Sequence, residues 1–134
     1  MWINKRLKNL RHHNLFLDEP LGPNADAIYK NPSCQEKLLF YASVPSITDP
    51  TVAPEGMENL FLLIPLAPDL EDSEEMREKY YEIIMERLER ISGQEIRTHV
   101  VYKRSYAHSD FKSDYHAYKG NAYGLANTLT QTAI

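Results

Sequence analysis

Residues 71–92 read EDSEEMREKYYEIIMERLERIS, and their apolar side chains recur at the spacing of an amphipathic helix. Asp72 is placed as the N-cap, Glu75 completes a capping box with it, and Gly93 stands where a helix ends. The opposite, acidic face is expected to point into water, so it predicts no catalytic carboxylate pair. The apolar stripe comprises Met76, Tyr80, Ile84, Leu88 and Ile91.

Apolar and β-branched runs on both sides of this helix predict four strands. The run at 59–66 is nearly all apolar, which predicts a central strand buried on both faces. Shorter helices are expected over residues 21–31 and 106–118. The four strands cover residues 12–18, 38–44, 59–66 and 97–105.

The order strand, helix, strand, strand, helix, strand predicts an α+β fold of the ferredoxin-like βαββαβ type. Its sheet should be mostly antiparallel, with helices on one face, followed by a C-terminal helical and glycine-rich tail. A length of 134 residues suits a single domain or a piece of a larger one.

Charge and composition exclude several classes of protein. A net charge of −4 disfavours a broad nucleic-acid surface. The longest apolar run, 60–67, is far shorter than the ~20 residues that span a bilayer. The single cysteine, Cys34, excludes an internal disulfide and fits a reducing compartment, so a cytoplasmic location is expected.

The first eleven residues carry four basic side chains and no acidic one. This basic edge is either a solvated flank or a peripheral contact with an anionic membrane such as the inner membrane. The basic side chains are Lys5, Arg6, Lys8 and Arg11.

Residues 45–56 form a long connection with three prolines and a terminal glycine. Such a loop is stiff, and it is longer than a hairpin needs. It either serves a function or covers one end of the sheet.

No self-sufficient catalytic set is present in the sequence. The five histidines form no metal-binding motif, Cys34 has no evident base, and no phosphate-binding glycine fingerprint occurs. We therefore predict no metal site and no catalytic residue, and expect a binding domain. The last third is rich in tyrosines, which either line an apolar pocket or pack half-buried.

Residues 119–129 read KGNAYGLANTL, with Gly120 and Gly124 four positions apart. From spacing alone this stretch is either a helix stop followed by a turn or a functional surface. A last short helix over residues 125–134 is weakly indicated, because three threonines interrupt it.

Four stretches together resemble one family: SITDPTVAPEG at 46–56, NLFLLIPL at 59–66, KRSYAHSDF at 103–111 and KGNAYGLA at 119–126. They resemble the bacterial-type phytoene desaturases, the FAD-dependent carotenoid desaturases and dehydrogenases. The resemblance extends over essentially all 134 residues. It favours the functional interpretation of residues 119–129.

The resemblance implies a substrate-binding domain, residues 1–134, of a larger flavoenzyme that introduces double bonds during carotenoid biosynthesis. Members of the family bind FAD through glycine-rich segments that this sequence does not contain. The chain is therefore expected to be an excised or truncated fragment. Alone, it is expected to bind no FAD tightly and to be inactive, so whether it counts as an enzyme is open.

The resemblance also implies site residues and partners. Gly120 and Gly124 are expected near the cofactor, and no residue is given a catalytic role. The partners would be a long isoprenoid or carotenoid, the remainder of the flavoenzyme, and a second copy in the isolated fragment. The expected substrate-binding residues are Arg104, Tyr106, Phe111, Tyr115, Asn121 and Tyr123.

Two positions depart from the family pattern. Asp69 stands where a glycine is common, and His116 stands where an amide is more frequent. The alternative to the whole assignment is a stand-alone ferredoxin-like module that binds a small molecule or forms oligomers, with no redox role.

Overall fold

The computed structural model describes residues 1–124. Within them, three α-helices and six short strands follow one another along the chain. The helices are α1 (Leu21–Tyr29), α2 (Glu74–Ser92) and α3 (His108–Tyr115). The strands are β1 (Trp2–Ile3), β2 (His13–Phe16), β3 (Phe40–Ser43), β4 (Glu58–Asn59), β5 (Phe61–Leu63) and β6 (Val100–Tyr102).

The strands form two antiparallel sheets of three strands each within the described residues. Sheet A has the order β4-β1-β6, and sheet B has the order β2-β3-β5. In sheet B, Leu15 pairs with Tyr41, which pairs with Leu63. The predicted α+β class and the antiparallel pairing are confirmed.

The ferredoxin-like arrangement needs a correction, because the predicted single sheet is divided in two. The predicted first strand, β2, pairs with β3, and the predicted last strand, β6, pairs with β1 instead. β1 is only two residues long, too short for an alternation of apolar and polar side chains to be visible in the sequence.

The predicted central strand at 59–66 is also wrong in its detail. The chain changes sheets at Leu60: Glu58 and Asn59 pair with β1, whereas Phe61 to Leu63 pair with β3. Leu60 itself is fully buried, but β5 lies at an edge of sheet B and the Phe61 side chain is 51% exposed. A nearly continuous apolar run therefore marks a crossing between sheets here, and one face of it is uncovered.

The N-cap of helix α2 lies one residue later than expected. Ser73 is the N-cap, and its hydroxyl accepts a hydrogen bond from the backbone N–H of Met76 at 3.2 Å. The predicted capping box of Asp72 is therefore wrong, because the Asp72 carboxylate is engaged by Arg77. The predicted end is confirmed: Gly93 adopts the left-handed conformation with φ of 66°.

The apolar stripe of α2 joins the two sheets into one core. Ile84 and Leu88 are fully buried in a cluster with Ile3 of sheet A and Phe40 of sheet B. Phe40 stacks on Phe16 with ring centroids 4.3 Å apart. Neither small sheet would be stable alone, so the helix supplies the burial that both need.

The connection at 45–56 contains two short 3-10 turns, Pro45–Ile47 and Pro50–Val52. Its first turn is fixed by Ser46, whose buried hydroxyl donates to the carboxylate of Glu58 and accepts from the N–H of Asn59 at 2.9 Å. The loop is thereby attached to the point at which the chain crosses between sheets.

The predicted helix at 106–118 is shorter in the structure. α3 ends at Tyr115, because His116 adopts the left-handed conformation with φ of 52°. A single 3-10 turn, Tyr118–Gly120, follows. The weakly indicated helix at 125–134 lies outside the described residues. Within residues 1–124, no helix combines the length and the apolar composition needed to cross a bilayer.

Candidate functional site

The predicted site residues all lie within residues 104–124, which we call the tail segment. It comprises the stretch leading into α3, α3 itself and the turn that follows. The structure divides the predicted residues into two groups, one around α3 and one in the turn after it.

The first group is an aromatic cluster formed by Tyr106, Phe111 and Tyr115. The rings of Tyr106 and Phe111 meet edge to face with centroids 4.8 Å apart, and Tyr115 lies 6.4 Å from Tyr106. The Arg104 guanidinium carbon is 6.0 Å from the centre of the Tyr106 ring. Tyr106, which precedes α3, therefore forms one surface with Phe111 and Tyr115 of α3. The Tyr115 side chain is 71% exposed on it.

The phenol of Tyr106 is held by the acidic side of α3. Its hydroxyl donates to a carboxylate oxygen of Asp114 at 2.7 Å. Partial desolvation, together with this hydrogen bond, raises the pKa of Tyr106 to about 12. The phenol therefore stays protonated at neutral pH and acts as a donor.

The second group is a tight turn built on Asn121. Its amide oxygen accepts from the N–H of Tyr123 and its amide nitrogen donates to the carbonyl of Gly124, both at 2.8 Å. The side chain thus folds the turn on itself. This leaves the Tyr123 ring 84% exposed. A hollow of ≈ 150 Å³ lies beside the turn, lined by Ala117, Tyr118, Asn121 and Gly124.

Gly120 has a structural reason to be glycine. Its φ is +68°, and an added Cβ would lie 2.7 Å from the Cα of His108. His108 is buried at the start of α3, with Nε2 2.8 Å from the carbonyl oxygen of Ala67. The turn and the helix start therefore pack backbone against backbone. That Gly120 and Gly124 contact the cofactor remains a prediction, and only Gly124 has open space around it among the described atoms.

The two departures from the family pattern both fall where the backbone is left-handed. Asp69 has φ of 63° and His116 has φ of 52°. Asp69 also binds Lys112 of α3 at 2.9 Å and donates its N–H to the carbonyl of Lys119 at 2.9 Å. Asp69 therefore tolerates the left-handed conformation and adds contacts to the tail segment.

An ion pair at the start of α2 borders the tail segment. Arg77 binds both carboxylate oxygens of Asp72, with Nε 2.6 Å from Oδ1 and Nη2 2.8 Å from Oδ2. Both side chains are mostly buried, at 14% and 8% exposed. The guanidinium holds the pKa of Asp72 far below its usual range, and the carboxylate raises the pKa of Arg77. The pair is bidentate and mostly buried, so it is stronger than an exposed ion pair with a single contact.

The outward face of sheet B is an exposed apolar surface. Leu15 is 72% exposed there, opposite the half-buried Tyr41 and Leu63. The inward face carries Phe16 and Phe40. The burial on both faces predicted for the run at 59–66 does not hold for β5, the edge strand of sheet B.

No three His, Cys, Asp or Glu side chains of residues 1–124 converge as they would around a metal ion. The rings of His12 and His13 are close, with centroids 4.1 Å apart, yet their Nδ1 atoms are bonded to the hydroxyls of Thr48 and Tyr41. The absence of a metal site remains a prediction.

Comparison with known proteins identifies similar sequences along the full chain. The chain is 40% identical over 134 residues to a carotenoid 3,4-desaturase of Haloarcula japonica, covering 27% of that protein. It is 29% identical over 131 residues to a 4,4'-diapophytoene desaturase (4,4'-diaponeurosporene-forming) of Staphylococcus aureus, strain Newman, covering 26% of it. No family model matches the chain. The chain thus spans about a quarter of the length of these relatives.

Gly120→Ala is expected to destabilise the chain more than Gly124→Ala. Both glycines have positive φ, so both variants carry the same conformational cost, but only at Gly120 would the new methyl group meet the His108 backbone. Overpacking of this kind costs about 1–3 kcal/mol. Urea unfolding of the two variants measures the difference, and equal losses would contradict the packing role.

The Asp72–Arg77 pair is expected to make stability depend on acid pH. Because the pKa of Asp72 is lowered in the folded chain, its contribution is complete above the ordinary value of 3.8 and is lost as pH falls through the folded value. The difference in unfolding free energy between the wild type and Asp72→Asn should therefore be full at pH 6 and shrink below pH 3.8. A difference that stays constant or grows in acid, measured by urea unfolding, would show that the pair is not the cause.

Proposed function

We propose that this chain, which corresponds over its whole length to a segment of the carotenoid desaturases, forms the substrate-contacting part of an FAD-dependent desaturase. The substrate class would be a long linear isoprenoid of the phytoene or carotenoid type. The observation that carries the proposal is the 40% identity to a carotenoid desaturase across all 134 residues, tail segment included.

The chemistry of the proposed reaction sets what the chain must do. Desaturation removes a hydride and a proton from neighbouring carbons; a bound flavin would take up the hydride, and the proton would pass to the flavin or to solvent. A polyene offers no charge and few hydrogen bonds, so it must be positioned by apolar and aromatic side chains. The aromatic cluster and the exposed ring of Tyr123 have this character.

The residues of this chain fit a role beside the flavin better than a role as its binding site. The sequence has no G-x-G-x-x-G turn between a strand and a helix, the usual dinucleotide cradle. Gly120 is packed against His108 and has no room for a ligand on that side. We therefore assign tight FAD binding to other parts of the enzyme and substrate contact to the tail segment, with Gly124, which has open space around it among the described atoms, as the remaining predicted cofactor contact.

The exposed apolar face of sheet B supports a proposal about partners. A surface carrying Leu15 and Phe61, 72% and 51% exposed, is costly to leave in water. We propose that the remainder of the flavoenzyme covers it, and that the isolated chain pairs with a second copy instead. The basic edge at residues 5–11 would give the enzyme a peripheral contact with the cytoplasmic face of a membrane.

A chimeric enzyme tests the proposed function. The matching segment of the Haloarcula japonica carotenoid 3,4-desaturase is replaced by this chain, and the product is followed by the shift of the carotenoid absorption spectrum. The chimera should bind FAD and desaturate its substrate. Tyr123→Ala within it should lower the rate by about tenfold or more, because an orienting contact is lost.

Tyr29→Ala is the matched control for the chimera. Tyr29 is as exposed as Tyr123, at 83% against 84%, but lies on α1 outside the tail segment. Its removal should leave the rate unchanged. A folded, flavin-containing chimera without desaturation would contradict the proposed function, whereas equal effects of the two variants would contradict the assignment of Tyr123.

The isolated chain of 134 residues is expected to bind no FAD tightly. Titration of the purified chain with FAD, followed by gel filtration, should leave the flavin in the small-molecule fraction. A stoichiometric yellow complex with the chain would overturn the assignment of flavin binding to other parts of the enzyme.

A further inference from the structure

We propose that Arg77 is a positioning residue: from helix α2 it fixes the start of α3, and through α3 the aromatic cluster of the site. Its importance for catalysis rests on the function proposed above, but the positioning itself concerns only the chain. The positioning is argued from three contacts that tie two helices together.

Arg77 reaches across to the tail segment with the nitrogens of its guanidinium. Nη2 lies 2.7 Å from the Asp110 carboxylate and 2.8 Å from the Ser109 hydroxyl, and Nη1 lies 3.3 Å from the Ser105 hydroxyl. These partners are separated from Arg77 by 28 or more positions in sequence. The Arg77 side chain therefore links α2 to one residue before α3 and to two residues in its first turn.

The carboxylates that Arg77 holds also cap α3. The N-cap residue is Ala107, which has no side-chain oxygen to accept from the first backbone N–H groups. Asp110 accepts from the N–H of Ala107 at 2.8 Å, and Asp72 accepts from the N–H of Ser109 at 2.6 Å. Asp72 thus caps α3 from outside that helix, and Arg77 orients the Asp72 carboxylate through a bidentate pair.

A helix of eight residues depends on such support. Isolated helices of this length are not stable in water, because few hydrogen bonds offset the cost of nucleation. Without Arg77, two mostly buried carboxylates would lie near one another without a counter-charge, and the capping geometry would be lost. Tyr106, Phe111 and Tyr115 would then lose their common surface.

A second arginine provides a matched control. Arg97 also pairs with two carboxylates, with Nε 2.8 Å from Glu89 and Nη1 2.8 Å from Glu82. Both partners belong to α2, so this cluster ties α2 to the 3-10 turn at Arg97–His99 rather than to α3. Arg77→Met and Arg97→Met therefore each remove a cluster with two carboxylates, one at the start of α2 and one along its middle and last turn.

Amide hydrogen exchange of the full chain compares the two variants. In Arg77→Met, the amides of α3 should exchange at least tenfold faster than in the wild type, while those of α2 from Ile84 to Leu88 change little. In Arg97→Met, the α3 amides should keep their wild-type rates. Arg77→Lys should restore less than half of the protection, because an ammonium cannot make the bidentate pair.

A second readout follows the aromatic cluster itself. In the chain with isotope-labelled tyrosine, the ring signals of Tyr106 and Tyr115 are identified by the variants Tyr106→Phe and Tyr115→Phe. The ring of Phe111 should displace both signals in the wild type and in Arg97→Met, because these rings lie 4.8 and 6.2 Å away from it. In Arg77→Met the ring signals of Tyr106 and Tyr115 should move to the positions of unstructured tyrosine.

Equal exchange of α3 in Arg77→Met and Arg97→Met, or unchanged ring signals in Arg77→Met, would overturn the positioning role. Neither outcome depends on desaturation. An inactive chimera would remove the proposed function and leave the exchange result standing, whereas an active chimera insensitive to Arg77→Met would show that positioning has no part in catalysis.

Discussion

The burial of one stripe of helix α2 is the interaction on which the remaining structure depends. Ile84 and Leu88 contact a core that contains Ile3 from sheet A and Phe40 from sheet B. Each sheet has three strands of only two to four residues among the described residues, too short to bury a core without the helix. The helix is therefore the element that makes one domain of two sheets, and its first turn carries Arg77, to which the tail segment is attached.

The parts of the fold that follow from local pattern could be predicted from the sequence. The extent of α2 and its end at Gly93 are such parts, because helical periodicity and a left-handed glycine are local signals. The division into two sheets could not be predicted, since it depends on a two-residue strand and on a change of partner at Leu60. Asp72 is not the cap for a related reason: its carboxylate pairs with Arg77 and accepts from the N–H of Ser109, which lies 37 positions away in sequence.

The candidate site, too, could be predicted from the sequence only where local pattern determines it. Residues alone gave two interpretations for the stretch from Gly120, a turn or a functional surface, and the structure gives the turn a physical basis in the contact with His108. The resemblance supplied the functional interpretation, and the similarity to carotenoid desaturases supports its family assignment. The two interpretations are compatible, because a turn folded tightly by Asn121 presents the Tyr123 ring outward. The burial on both faces predicted for the run at 59–66 is wrong, because burial depends on what covers a strand, and β5 lies at an edge of sheet B with Phe61 51% exposed.

The most direct test of the central claim, that the tail segment contacts a polyene, is photo-crosslinking. A linear C40 polyene carrying a diazirine group would be bound to the chimeric desaturase that contains this chain, irradiated, and located by peptide mass spectrometry. The account predicts that crosslinks within the chain concentrate between Arg104 and Gly124, with Tyr106, Tyr115 and Tyr123 among the labelled residues. Crosslinks confined to other parts of the chain, such as α1 and the residues that follow it, would contradict it.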